Sequence, residues 1–388
     1  MANRPVTGPP ERLGPAQTRP SFPSVPHTQM SETSEILSPS VDVQASRPRT
    51  EVSLTRVGVR GIEKVIKVNG GRGAVPAAGH PVDSGEAAPA AGEVDDAAGN
   101  YFFAELECFV DLNPRQAGVH MSRFEEVVNA AIDEVVLGET LRAEELAAHI
   151  ADRVREQQEG LRAEVTIAAR YPETVATPAS GLPTQEIYTL LGTAVVSGRG
   201  TRTLTGVEAQ GMTACPCGQE LISGRSQQRL AAEGFTDDEI ERVLNAVPVA
   251  THNQRGIGSL HLGRPEGIEL DVDARDLLHI VEQSMSSEIY ELMKRSDEAA
   301  VVEKAHLNPR FVEDCVREMV RRVAEAYPQL REGGFVLARQ ENLETIHRHS
   351  VFAERSGLLA EILAELSSGE HSPHHMTERE WLEAPCSP

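Results

Sequence analysis

The run Gly211-Met212-Thr213-Ala214-Cys215-Pro216-Cys217 sets two of the chain's five cysteines within three residues. Side chains at i and i+2 lie side by side here, and Pro216 stiffens the turn between them, so a disulfide within the pair is strained. A metal ligand, an activated thiolate and no chemical role remain open for Cys215 and Cys217. Three later motifs add donors: Thr251-His252-Asn253-Gln254-Arg255-Gly256, Lys294-Arg295-Ser296-Asp297-Glu298, and Glu344-Thr345-Ile346-His347-Arg348-His349. Sulfur, imidazole and carboxylate together are the donor mixture of a catalytic transition-metal site.

Each motif also has a plainer explanation. A single histidine in a strand-like segment, as His252 is read, serves structure as readily as ligation. Lys294 is one of only four lysines, and beside Arg295 and Glu298 it suits phosphate contact; an ordinary helix end, where cations meet the negative pole, is the alternative. His120-Met121-Ser122-Arg123 precedes a helical stripe and offers a hydroxyl and a guanidinium at a helix N-terminus, an anion site unless Ser122 is simply a cap. His347 and His349 face the same way if their segment is a strand. Glu313 borders an apolar helical stripe. That position fits a pocket edge, or a surface pair with Arg317 worth about 0.3 kcal/mol.

Strands and helices must carry these groups. Val52–Val68 is β-branched and broken by Gly58 and Gly61, a long strand with room for a bulge. Gly70–Asn100 is a Gly/Ala/Pro-rich loop insertion. In Tyr101–Leu112, Leu106, Cys108, Val110 and Leu112 share one face. Phe124, Val127, Val128, Ala131, Ile132 and Val135 make one helical stripe, and Leu141, Leu146, Ala147, Ile150 and Val154 a second. Strands follow around Val165–Ala169 and Glu186–Ser197.

The order then repeats. Arg202–Thr213 and Val249–His261 read as strands, and apolar positions from Leu277 to Leu292 as a helix. A further helix opens at Asn308-Pro309, and Gly334–Ala338 and Leu343–Val351 close the set as strands. Thr236-Asp237-Asp238-Glu239 is a capping box that starts an inserted helix reaching about Asn245. Residues 1–50 read as a disordered tail, 51–200 and 201–355 as two modules with insertions at 70–100 and 218–247, and 356–388 as a helix and a loose end.

Composition limits the partners. The net charge is −22, with four lysines against 33 arginines. Such a surface suits a protein hydrated in concentrated salt, and a haloarchaeal source is expected; an acidic protein of a GC-rich genome reads the same way. Broad acidity argues against a nucleic-acid groove while leaving room for a local phosphate pocket. No apolar run reaches the roughly 18 residues of a membrane span. Without a secretory signal core, a cytoplasmic place is expected. Residues 1–29 carry seven prolines and +2 charge in a chain otherwise at −24, so they read as an upstream addition to the working protein.

Taken in order and at these spacings, six motifs resemble the prokaryotic GTP cyclohydrolases of the IB/MptA group: His120–Phe124, Gly211–Gln219, Thr251–Gly256, Lys294–Glu298, Phe311–Asp314 and Glu344–His349. The resemblance runs from about Val52 to Glu354, and Thr-Ala-Cys-Pro-Cys resembles the archaeal MptA branch. The long loop after Val68, the N-terminal tail and Ser296 in place of a usual proline depart from the pattern. The resemblance implies an α+β tunnelling fold of two tandem ββααββ modules with antiparallel sheets. It also implies a homo-oligomer, dimer or tetramer, with active sites between subunits.

For the site, the resemblance implies a metal on Cys215, His252 and Glu298, with His347 or His349 as ligand or proton shuttle and Cys217 as a relay. Glu313 would hold guanine, and Lys294, Arg295, His120, Ser122, Arg123, Gln254 and Arg255 the rest of GTP. The donors themselves suit zinc or iron equally. The resemblance favours Fe(II), with zinc or manganese as alternatives. The implied products are 7,8-dihydroneopterin 2′,3′-cyclic phosphate, formate and diphosphate; a bacterial-type enzyme would keep the triphosphate. A tunnelling-fold nitrile reductase and a non-catalytic metal-site protein are the competing readings.

Overall fold

Alternation along the first strands decides which side of the sheet is covered. In β2 (Asn100–Leu112), Leu106, Cys108 and Val110 are buried while Glu105 and Glu107 point the other way. β2 pairs antiparallel with β1 (Leu54–Val68), whose register slips between Leu54 and Val57 and again between Val59 and Ile62, the expected bulging. The stripes of α1 (Met121–Glu134) and α2 (Ala143–Gln157) lie on the apolar side of this sheet. β3 (Arg162–Ala176) and β4 (Pro183–Ser197) complete the first half as a long hairpin. α2 approaches β4 at Gly192, where a Cβ would stand 2.2 Å from the Ala143 backbone carbon.

The second half repeats the order. β5 (Gly200–Ala214) is followed by the inserted helices α3 (Pro216–Ala232) and α4 (Asp237–Ala246), then β6 (Asn253–Arg264). α5 (Ala274–Gln283), the short β7 (Ser287–Glu288), α6 (Arg295–Leu307) and α7 (Val312–Ala326) lead to β8 (Phe335–Leu343) and β9 (Val351–Leu358). Leu260, Leu262, Leu277, Val281, Met319 and Val323 form its core. One sheet runs β1-β2-β3-β4-β5-β6-β8-β9, with β7 on β5, and every pairing is antiparallel. With α3 and α4, and the short β7 and α6, set aside as additions to the second half, this is the ββααββ order twice, the α+β tunnelling fold.

The computed structural model describes residues 42–68, 100–134, 142–265, 267–268, 272–370 and 372–384. The expectations for the N-terminal tail to residue 41, the insertion over 70–99, Val135 and Leu141 lie outside these residues.

Several boundaries differ from expectation for physical reasons. The helix expected to run to Leu292 ends at Gln283, because the serines after it bond backbone instead. Ser284 Oγ donates to the Ile280 carbonyl at 2.7 Å, and Ser286 Oγ accepts from the Ala214 N–H at 3.1 Å. Asn308 does not open a helix; it ends α6, and α7 starts at Val312, since Pro309 cannot continue the preceding turn. Strand pairing stops at Leu343, and 344–350 form a bend rather than a strand. β6 begins at Asn253, just after His252.

The C-terminal segment is not loose over its described part. α8 (Leu359–Ser368) is followed by α9 (Glu378–Glu383), whose Thr377 and Glu380 form a reciprocal cap. Trp381 is 1% exposed, stacked on Phe335 at 5.5 Å, with its Nε1 donating to the Gly333 carbonyl at 3.1 Å.

Candidate active site

The end of β5 and the approach to β6 meet at Cys215 and His252. The Cys215 N–H donates to the His252 carbonyl at 3.1 Å, and Thr251 Oγ1 donates to the Cys215 carbonyl at 2.8 Å. Cys215 is the N-cap of α3, its Sγ accepting from the Gly218 N–H at 3.4 Å, with Pro216 at the first helical position. Gly218 lets the helix start press close: a Cβ there would lie 2.5 Å from Thr251 Oγ1 and 3.4 Å from His252 Cδ2. The Cδ2 edge of the imidazole therefore faces the first turn of α3.

The other edge of His252 is held from behind. Nδ1 lies 3.1 Å from Gln254 Oε1 and 3.6 Å from a carboxylate oxygen of Glu344, whose side chain is only 7% exposed. A partner on one ring nitrogen fixes the orientation of the other, the arrangement that serves metal-bound histidines. Gln254 is buried, so what it visibly does is hold His252. In the sequence Glu344 stands out only as the first residue of its motif. Its side chain turns back toward His252 because pairing ends at Leu343, a change no local pattern announces.

Burial separates the cysteines. Cys108 and Cys315 sit in the two cores, and desolvation pushes each thiol up to about 12. Cys215 is half-buried and Cys217 exposed, while Cys386 lies outside the described residues. Cys217 opens onto a cavity of about 1410 Å³ between α3, α4 and the end of α6, lined also by Gln219, Ile240 and His306. Gln219 Nε2 ties this wall together, donating to the His306 and Val249 carbonyls at 2.6 and 3.0 Å.

The remaining expected residues stand on other elements. Lys294 is at the N-cap position of α6, with Arg295 and Glu298 exposed in its first turn, so these cations occupy the start of a helix and not an end. His347 and His349 are exposed in the bend after β8; though it is no strand, their rings stack at 5.2 Å. Glu313, exposed on the first turn of α7, lines a cavity of about 750 Å³ with Arg310, Glu354 and Leu366, and Arg317 pairs instead with Asp314 at 3.3 Å. His120, Ser122 and Arg123 open α1. The backbone of His120 bonds the Gln158 amide at 2.9 and 3.2 Å, and Arg123 reaches the Gln157 carbonyl at 3.3 Å. Ser122 is exposed inside the helix and does not cap it. Arg255 is exposed on β6.

A thiol and an imidazole held this way suit a borderline divalent metal. Among the described residues, however, no three His, Cys, Asp or Glu side chains come together as a metal set, and Glu298 does not join Cys215 and His252 within one chain.

Residues 91–353 match the family described as Type I GTP cyclohydrolase folE2. The GTP cyclohydrolase MptA of Methanococcus aeolicus is 39% identical over 331 residues, covering 84% of this chain and 99% of that protein. The GTP cyclohydrolase MptA of Methanocaldococcus jannaschii is 38% identical over 334 residues, 85% and 98% of the two chains. Among solved structures, the uricase from Arthrobacter globiformis is similar at a TM-score of 0.45 and 10% identity, over 84% of this chain and 98% of that one.

Proposed function

The chain belongs to the type I GTP cyclohydrolase family and is an enzyme, and on that premise we propose that it converts GTP and water to 7,8-dihydroneopterin 2′,3′-cyclic phosphate, formate and diphosphate, the entry to pterin synthesis. The junction of Cys215 with His252 is the observation that carries the reading. It puts a thiol and an oriented imidazole at the start of one helix, the thiol two residues before Cys217, which lines a large cavity. A divalent metal, Fe(II) in this proposal, would supply there the Lewis acidity that hydrolysis of an aromatic imidazole ring needs. Cys215 and His252 would hold it. In the proposed enzyme, a homo-oligomer with sites between chains, Glu298, exposed on α6, and the exposed, stacked His347 and His349 would complete the site of a second copy.

The organic substrate asks for a carboxylate and cations. Glu313 offers two acceptor oxygens to the ring N–H and exocyclic amino group of guanine. Lys294 and Arg295 suit the triphosphate, and His120, Ser122, Arg123 and Arg255 are further candidates for nucleotide contact. Thr-Ala-Cys-Pro-Cys and Thr-His-Asn-Gln-Arg-Gly favour the cyclic phosphate over an intact triphosphate.

Cys215→Ala is the direct test. The variant is expected to stay folded while losing both stoichiometric metal and formate release. Metal retained at wild-type stoichiometry removes Cys215 from the ligand set.

A further inference from the structure

Lys294 and Arg295 break a local rule. Cations are disfavoured at the start of a helix, where unpaired N–H groups make the positive pole, and a lysine side chain cannot accept the bond that caps it. Something else must hold this terminus. Asp297 does so: it is 0% exposed, and its Oδ2 accepts from the Lys294 N–H at 2.9 Å.

The same carboxylate reaches out of its own module. Oδ1 accepts from the Ala179 and Ser180 N–H groups at 2.9 and 2.7 Å, and Oδ2 accepts from Ser180 Oγ at 2.7 Å. Residues 177–182 are the tip of the β3–β4 hairpin, folded on itself by the Thr177 N–H to Leu182 carbonyl bond at 3.0 Å. A second buried acid of that hairpin, Glu186, accepts from the Glu291 N–H at 2.9 Å. Two carboxylates thus fasten the segment that carries Lys294, Arg295 and Glu298 to a hairpin more than a hundred residues earlier.

We propose that Asp297 is a positioning residue, a clasp by which the hairpin tip of the first module fixes the first turn of α6 and so aims Lys294 and Arg295 at a polyphosphate. The inference rests on the cyclohydrolase reading. Asp297 touches neither substrate nor metal in it and acts through its neighbours. The bonds from Ala179, Ser180 and Lys294 saturate the carboxylate, so it cannot swing toward a ligand without losing them.

Inhibition of GTP turnover by two fragments, inorganic tripolyphosphate and guanosine, tests the clasp in the metal-loaded full chain. Asp297→Asn keeps the shape but turns one acceptor into a donor facing donors. It is expected to weaken tripolyphosphate about tenfold and leave guanosine unchanged. Ser180→Ala, which removes one bond only, should shift the same constant in the same direction by less. In a Lys294→Ala/Arg295→Ala background the effect of Asp297→Asn on tripolyphosphate should vanish, which a loss of general stability would not produce. Equal weakening of both fragments, or an unchanged tripolyphosphate constant in both Asp297→Asn and Ser180→Ala, overturns the proposal. If Asp297→Asn does not fold, Ser180→Ala alone decides. A wild-type chain that releases no formate from GTP would instead sink the functional reading.

Discussion

Glu313 shows what a single residue can and cannot disclose. Its place at the edge of an apolar stripe was legible, and the structure sets it on a cavity wall, while Arg317, its partner in the alternative surface pair, bonds Asp314 instead. Glu313→Gln is expected to lower kcat/KM for GTP by roughly 30- to 150-fold, the effect of about 2–3 kcal/mol from one unpaired donor. Metal content should not change, and a variant with normal turnover removes Glu313 from guanine recognition. Glu344 was less legible, because the residue that matters to His252 lies where a strand stops. Glu282 gives a pH test that sequence could not suggest. Burial raises its carboxyl from 4.5 to about 7, with Glu288, Glu173 and Glu186 adding to the rise and the Tyr188 hydroxyl, 2.7 Å away, opposing it. The folded chain therefore holds that proton more tightly than the unfolded one. The stabilisation is full below about pH 4.5 and is lost as pH rises toward 7, by up to about 3 kcal/mol. Glu282→Gln should flatten that part of the stability–pH curve, as urea titrations across pH 5 to 8 would read.

Elements with a strong apolar period were legible; those that bury polar groups were not. The capping box at Thr236 announced α4, and the stripe from Val312 to Val320 announced the body of α7. α6 went unseen because its buried residues are Asp297, Val301, Ala305 and His306, too polar and too few to make a stripe. α3 has no buried residue at all and owes its start to Cys215 and Pro216. Close approach between elements is equally silent in a sequence. At Gly192 a Cβ would collide with the backbone of Ala143 and Glu144, which cannot yield as a side chain would. Gly192→Ala should push α2 off β4 and cost about 1–3 kcal/mol, read as a lower urea midpoint. An unchanged midpoint would mean that α2 does not seat so closely on the sheet.

At the scale of the whole molecule, the doubled ββααββ order was readable because strand and helix periods alternate cleanly in both halves. The docking of the C-terminus was not, since its anchor is one aromatic residue in a polar stretch. Trp381 is the chain's sole tryptophan. Its fluorescence should be blue-shifted and shielded from acrylamide in the native protein, and Trp381→Ala should cost about 3 kcal/mol or more. Freely quenched emission would detach α9 from the sheet. Among the described residues no helix is long and apolar enough to cross a membrane.

The central claim is the reaction itself. Anaerobic incubation of the full chain with GTP and Fe(II), followed by formate assay and mass spectrometry of the pterin, tests it most directly. The account predicts one formate for each GTP consumed, with diphosphate and 7,8-dihydroneopterin 2′,3′-cyclic phosphate. A pterin that keeps its triphosphate would contradict the proposed product, and GTP recovered intact with no formate would contradict the account as a whole.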